Sequence, residues 1–445
     1  MVEEKFIFTA SAKKSVFTTI GVGILLLIIG LFFVAKFGGH DHHASEGHAT
    51  EHVANADHHA ADHSHDDHGH GDHHEKSLWV KRLIKNIWHN NVFFTGISII
   101  GVFFVAFNYV AWAGWGVLIR RIPLAMGSFI PVIGVLLIVS FLIFNHDIFH
   151  WTHQYLYDKS SPLYDPIIAG KEGYLNFPFY LIRTILYFVA WYLSWMFLRK
   201  YAIQEDLTGD IKWYDKSVVL SAGFLVIFGI TSSTAAWDWV MSIDTHFFST
   251  MFGWYVFASW FITGLAVMTL IIIYLKEAGL LTGVNENHLH DLGKFLFAFS
   301  IFWTYIWFSQ FLLIYYANIP EEAVYFVERL KNDAYSPFFF FNLIINFLIP
   351  FLILMTRDAK RQVMIIKVIA VCIIIGHWSD FYLMITPALL GNDGGFDFWF
   401  FFVELGMFLI YGGLFLFFTL TSLSKAGLIP KNDPMLEESV HHHVY

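Results

Sequence analysis

Two carboxylates and an imidazole lie in the stretch Trp237-Asp238-Trp239-Val240-Met241-Ser242-Ile243-Asp244-Thr245-His246, between two apolar runs, 217–237 and 247–274. Each run reaches the ~20 mostly apolar residues that a bilayer-spanning helix needs, so the chain turns here at a membrane face. Asp238 still falls within the helical pattern, with Ser242 on its face at i+4. An ionisable group at such a depth costs ~2.5–3.5 kcal/mol on insertion scales, and it is retained where it faces protein or water. Asp238 therefore either closes the hairpin, as a cap or as partner of Arg183, or does proton chemistry. A second group of this kind is His377-Trp378-Ser379-Asp380, in which His377 and Asp380 at i and i+3 share a face. Glu404 lies about two turns inside the last apolar run.

The elements that position these residues follow from composition. With 445 residues, 56% hydrophobic and 14% charged, and a mean hydropathy of +0.55, the chain is excluded from the soluble globular class and reads as a polytopic membrane protein. The net charge of −9 belongs largely to one loop and the tails, and no basic patch suggests a nucleic-acid partner. The single cysteine, Cys372, rules out an internal disulfide, a four-cysteine iron–sulfur site and a Cys-x-x-Cys-His haem attachment. Any redox cofactor is then held by other residues or by other subunits. The 49 Phe and 16 Trp fit lipid-facing and interfacial belts, although flat aromatic walls also suit a quinone ring.

The first apolar run, 16–37, lacks a small-x-small cleavage site and reads as a retained helix. Thirteen of the 24 histidines fall in 40–74, among Asp, Ala and Gly, a tract with too little apolar surface to fold. Its histidines, including His42, His43, His58, His59, His73 and His74, are irregularly spaced, which suits loose binding of Zn²⁺, Ni²⁺ or Cu²⁺ rather than a structural site. The segment 78–88 sets Lys81, Arg82 and Lys85 among apolar residues and is expected to lie along the headgroups. Further runs at 92–118, 124–144, 178–198, 217–241, 248–275, 293–317, 337–355, 363–386 and 398–423 bring the total to ten.

The expected fold is an all-α polytopic membrane protein of ten transmembrane helices, arranged as two four-helix bundles and two peripheral helices. Helix one and its lead-in occupy 1–37, the His-rich loop and interfacial segment 38–90, the first bundle 91–241, the second 242–396, and helix ten with its tail 397–445. An even number of crossings puts both termini on one side. Seventeen Lys and Arg flank the helices on that side and nine on the other, so the positive-inside rule places the termini in the cytoplasm.

On that topology Arg183, Gln310, Asn342, Asn346, His377, Asp380 and Glu404 all fall in the outer half of the membrane, as an outward proton port would require. The inner half carries only Asn108, Tyr109 and hydroxyls such as Ser221. Gln310, Asn342 and Asn346 read as interhelical hydrogen bonders, worth ~0.6 kcal/mol each. His146, His150 and His153, near a wet helix end, read as capping and interfacial groups rather than metal ligands. Histidine pairs four turns apart on two helices, as a dihaem cytochrome b needs, are absent. A zinc transporter is the rival reading, for its histidine-rich loop, but helix nine offers one His-x-x-Asp where repeated mid-membrane pairs are needed.

Ala235-Ala236-Trp237-Asp238-Trp239-Val240-Met241-Ser242-Ile243-Asp244 with Trp254, together with His377-Trp378-Ser379-Asp380 and the four-and-four helix grouping, resembles the ActF-type membrane subunits of bacterial alternative complex III, within the NrfD and polysulfide-reductase membrane-anchor family. The resemblance runs from Val92 to Ser424. It implies a subunit of a respiratory quinol:cytochrome c oxidoreductase of the bacterial inner membrane, oxidising menaquinol or another quinol. Iron–sulfur clusters and haem c would sit on an iron–sulfur protein and on multihaem and monohaem cytochromes c. A second NrfD-like membrane subunit, and in some assemblies a terminal oxidase, would complete the partners. ActF-type chains are expected to act as scaffold and proton route, with direct quinol oxidation in a pocket near His377 and Asp380 as the alternative. Asp238, Asp244, His246, His377, Asp380 and Glu404 are the candidates for proton transfer, Asp238 and Asp380 as central relay carboxylates, with Arg183 as their electrostatic partner.

Overall fold

A computed structural model describes residues 4–37 and 76–443. The His-rich tract, with His42, His43, His58, His59, His73 and His74, lies outside the described residues. Among the described residues, ten helices are long and apolar enough to cross a membrane: α1 (Ala10–Phe37), α2 (Leu78–Val110), α3 (Arg121–Ile148), α4 (Phe177–Thr208), α5 (Lys212–Trp239), α6 (Phe252–Glu277), α7 (Glu286–Ala317), α8 (Ser336–Ile353), α9 (Val363–Leu390) and α10 (Phe398–Leu423). Among the described residues the sole β feature is an isolated bridge between Lys5 and Gly427. The protein is an all-α polytopic membrane protein. The bridge, with the Leu428 N–H donating to the Glu4 carbonyl at 2.9 Å, brings both ends to one face, here the terminal face.

Local chemistry sets the helix ends. Asn176 caps α4 by accepting the Phe179 N–H at 3.0 Å, Pro178 fits the first turn where its missing N–H costs nothing, and Gly209 stops the helix in the left-handed region at φ 65°. Asn285 and His288 form a reciprocal capping box at the start of α7. Asp397 caps α10.

Helices α2 to α5 pack together, as do α6 to α9, and α2 touches both groups as well as α10. The peripheral helices α1 and α10 pack against each other. Their contact is backbone to backbone: a Cβ on Gly23 would stand 2.8 Å from the Gly406 carbonyl oxygen, and one on Gly406 2.7 Å from that of Gly23. Small residues permit this approach, which in lipid supplies dispersion contacts that larger side chains would block.

One expectation is overturned. Residues 78–88 do not lie along the headgroups but form the first turns of α2, and the boundary drawn at residue 90 falls inside that helix. Arg82, Lys85, Asn86, Trp88, His89, Asn90 and Asn91 are buried. Arg82, Lys85, Asn86, His89 and Asn90 recur at i, i+3, i+4, i+7 and i+8, a helical stripe, and that stripe faces protein. On the terminal side Arg120 pairs with Asp433 and Arg121 with Asp206, all four groups largely buried, tying the C-terminal tail to the start of α3 and α3 to α4.

Candidate functional site

The residues singled out in the sequence fall into separate centres. In the first bundle, Arg183 on α4 grips Asp238 on α5 with both ends of its fork, Nε to Oδ2 at 3.0 Å and Nη2 to Oδ1 at 2.8 Å. The Tyr187 hydroxyl adds a third bond at 3.0 Å. Asp238 is fully buried. Its place is fixed by the next residue, because the Trp239 ring stacks on Phe188 at 5.4 Å and donates from Nε1 to Thr184 at 3.2 Å. Its carbonyl accepts from Trp88 Nε1 at 2.8 Å. Two turns of two helices are thus clamped around a bidentate, charge-assisted pair, the strongest common form of side-chain hydrogen bonding. The guanidinium matches the carboxylate charge for charge.

Asp380, on α9 in the second bundle, is equally buried and differently surrounded. Its donors are all neutral: the Tyr255 hydroxyl on Oδ1, Ser259 Oγ at 2.6 Å and Trp303 Nε1 at 2.9 Å on Oδ2. His377 Nδ1 stands 3.7 Å from Oδ2, beyond hydrogen-bond length. Among the described residues, both ring nitrogens of His377 are buried without a hydrogen-bond partner. So are both amide atoms of Asn346 and Oδ1 of Asn342. The interhelical bonds expected of Asn342 and Asn346 are therefore not what places these amides. Asn346 lies in a π-helical segment, Ile344–Leu348, within α8, a distortion that concentrates at functional positions. The segment presses the amide onto α9, where a Cβ on Gly376 would meet Asn346 Oδ1 at 2.1 Å.

Asp380 also lines a cavity of about 20 Å³, with Gln310, Asn342, Trp303, Tyr255 and Arg329 on its walls. A water molecule needs roughly this much room and two to four polar partners, and a six-membered ring needs far more. Arg329, on the short helix Pro320–Lys331, is held there by a hydrogen bond that α9 cannot make for itself. Pro387 has no N–H to offer the Leu383 carbonyl four residues back, and Arg329 Nε takes that place at 2.8 Å, with Nη2 reaching Met384 O at 3.3 Å. Its guanidinium also lies 3.4 Å from the centre of the Tyr325 ring.

Glu404 belongs to neither centre. It meets Lys85 of α2 at 2.8 Å, and the ammonium, with no exposure, also reaches Asn86 Oδ1 at 3.3 Å and lies 4.2 Å from the Tyr382 ring centre. Asp244 and His246 lie on the face opposite the termini, lining an open cleft of about 480 Å³ with His146, His150, His153 and Glu328. His246 Nε2 is 2.6 Å from Asp165 Oδ2. Burial, with His153 and His246 nearby, pushes the His150 imidazole down. Burial pushes Asp165 up, but the N–H of Ile168, the His246 ring and the N–H of Ile167 outweigh it and hold its carboxyl below the ordinary range. Among the described residues no hydrogen bond joins this cleft to either buried carboxylate, and no group of three or more His, Cys, Asp or Glu is arranged to hold a metal ion.

The structure thus brings together Arg183 with Asp238 and His377 with Asp380, and separates Glu404, Asp244 and His246 from both. Lys85, Tyr255, Ser259, Trp303 and Arg329 were missed. For Lys85 the signal was present in the polar stripe along the start of α2. For the neutral donors, set in apolar runs, there was none. No known protein-family model matches the chain, and no curated protein matches it either.

Proposed function

We propose that this chain is an integral membrane subunit of a quinol:electron-acceptor oxidoreductase complex of the bacterial inner membrane, acting as scaffold and carrying a proton-transfer site at Asp380 and His377. Both termini would face the cytoplasm, and iron–sulfur and cytochrome c subunits on the opposite face would carry the electrons. The Trp-Asp-Trp hairpin, the His-Trp-Ser-Asp motif and the division into two groups of four helices support the family reading. The observation that carries the site is the contrast between the carboxylates. Asp238 is matched by a bidentate guanidinium, whereas Asp380 has only neutral donors and a neighbouring imidazole with two unmet nitrogens beside a water-sized cavity. A proton can pass between water in that cavity, the Asp380 carboxylate and the His377 ring without separating a fixed ion pair. The size of the cavity favours this over quinol oxidation at the same place.

The test is quinol-dependent cytochrome c reduction by the purified complex in liposomes, with proton release followed in parallel. Asp380→Asn is expected to keep electron transfer and lose or retard proton release, while His377→Gln shifts its pH dependence. Loss of both activities in an assembled Asp380→Asn complex would instead mean direct quinol chemistry. No change in either would remove Asp380 from the mechanism.

A further inference from the structure

At the terminal face a groove of about 410 Å³ opens beside α4 and the end of α10, lined by Tyr192, Trp195, Met196, Arg199, Lys200 and Lys425 among others. The α4 residues fall at i, i+3, i+4, i+7 and i+8 and so share one face of the helix. The groove is graded along its length. Its deeper part, one to two turns into the apolar run, is aromatic and aliphatic, and its outer part carries three cations. Arg199 is anchored where α4 meets α10: its guanidinium donates to the Ser422 hydroxyl and to the Ser422 carbonyl at 3.1 Å, and lies 5.5 Å from the Trp195 ring centre. Trp195 is itself fixed by donating to the Leu124 carbonyl at 2.7 Å.

Among the described residues, no carboxylate is set against the three cations in the groove. Asp206, two turns further along α4, is taken by Arg121 and by the Lys431 N–H at 3.0 Å, and Glu205 is buried at 3% exposure. Lys200 and Lys425 are exposed. A positive rim over an apolar, aromatic trough at a membrane face matches one class of molecule, an anion bearing a hydrocarbon chain. Guanidinium and ammonium groups recognise phosphate oxygens, Trp and Tyr settle at headgroup depth, and basic pockets between spanning helices hold anionic headgroups.

We propose that this groove binds an anionic phospholipid, with its phosphodiester on Arg199, Lys200 and Lys425 and an acyl chain along Tyr192, Trp195 and Met196. The inference does not depend on the respiratory reading.

The purified full chain, stripped of lipid in detergent, is titrated with phosphatidylglycerol, phosphatidylcholine and inorganic phosphate, with adducts counted by native mass spectrometry and thermal unfolding followed alongside. Phosphatidylglycerol is expected to bind and to raise the unfolding temperature, and the other two are not. Removing exposed cations leaves the fold intact, so Lys200→Gln with Lys425→Gln is expected to weaken that binding about 25-fold, roughly fivefold per cation. Met196→Trp, which fills the trough without changing charge, lowers binding too. Lys159→Gln with Lys331→Gln, on the other face, leaves it unchanged. The proposal fails if the double variant binds phosphatidylglycerol as the wild type does, or if phosphatidylcholine binds equally well. It also fails if inorganic phosphate alone reproduces the stabilisation, which would assign the rim to a free anion.

Discussion

The Lys85–Glu404 pair offers the sharpest test of how this membrane core is held. Lys85 has no exposed side-chain surface and Glu404 only 12%. Replacing Glu404 by Leu leaves an ammonium with Asn86 Oδ1 at 3.3 Å and the Tyr382 ring at 4.2 Å as its remaining partners. A desolvated cation–π contact returns ~2 kcal/mol, less than the several kcal/mol that a buried ion loses on leaving water. Breaking such a pair from one side costs ~3–5 kcal/mol, and the residual exposure of Glu404 points to the lower end, about 3 kcal/mol for Glu404→Leu or Lys85→Met. Replacing both by apolar residues removes the two charges together, and buried pairs exchanged in that way are neutral or stabilising by ~1–4 kcal/mol. Lys85→Met with Glu404→Leu is therefore expected to fall within about 1 kcal/mol of wild type, with a coupling between the sites well above the ~0.5 kcal/mol of independent positions. SDS-induced unfolding in mixed micelles, run as a double-mutant cycle, measures it. Simple addition of the two single effects would show that the pair does not organise the contact between α2 and α10.

Three further outcomes follow from the geometry. Arg329→Leu leaves the Leu383 carbonyl without a donor and is expected to cost ~1–3 kcal/mol in the same unfolding assay, and adding Pro387→Ala, which restores a helical N–H, is expected to recover part of it; no recovery would refute the assignment. Gly406→Val drives a Cβ into the Gly23 carbonyl and is expected to separate α1 from α10, read as loss of disulfide cross-linking between Cys pairs introduced along that seam in the cysteine-free Cys372→Ser chain, with Gly223→Val, where a Cβ meets nothing, as the silent control. Because the folded His150 ring has its proton affinity lowered by burial, His153 and His246, its contribution is fully present above the ordinary histidine pKa of ~6.5 and is lost as pH falls through the lower folded value. Asp165, also lowered, loses its contribution only below the carboxylate range. Amide protection at Ile167 and Ile168, corrected for intrinsic exchange, should therefore weaken first just below pH ~6.5, and His150→Gln should abolish that step while leaving the more acidic one.

The ten helices and their grouping were legible because lipid imposes length and hydropathy so strictly that each crossing is written locally. Arg183 with Asp238, and His377 with Asp380, were legible for a related reason: a charge inside an apolar run calls for a partner at matching depth, and each run held few candidates. The same logic failed for Lys85 because its stripe was assigned to the headgroup layer, which removed the cation that meets Glu404. Their separation of 319 residues gives no local cue. Arg329 was hidden differently. Its role depends on Pro387 freeing a carbonyl on another helix, a relation between a missing N–H and a side chain more than fifty residues away.

The fates of the two motif carboxylates separate what an ionisable residue in a membrane can do. Asp238 closes a fork-to-fork pair whose aromatic surround, Trp239, Phe188 and Trp88, fixes the end of α5 against α2 and α4. Taking a proton there means breaking two charge-assisted bonds and leaving Arg183 uncompensated, so the pair is suited to holding two helices in register. Asp380 is surrounded by an equal number of donors, none of them charged, so its protonation strands no cation. The distinction lies wholly in the neighbours. The Trp-Asp-Trp and His-Trp-Ser-Asp motifs look equivalent as strings, and the residues that separate them, Arg183 in one case and Tyr255, Ser259 and Trp303 in the other, come from helices that neither motif contains.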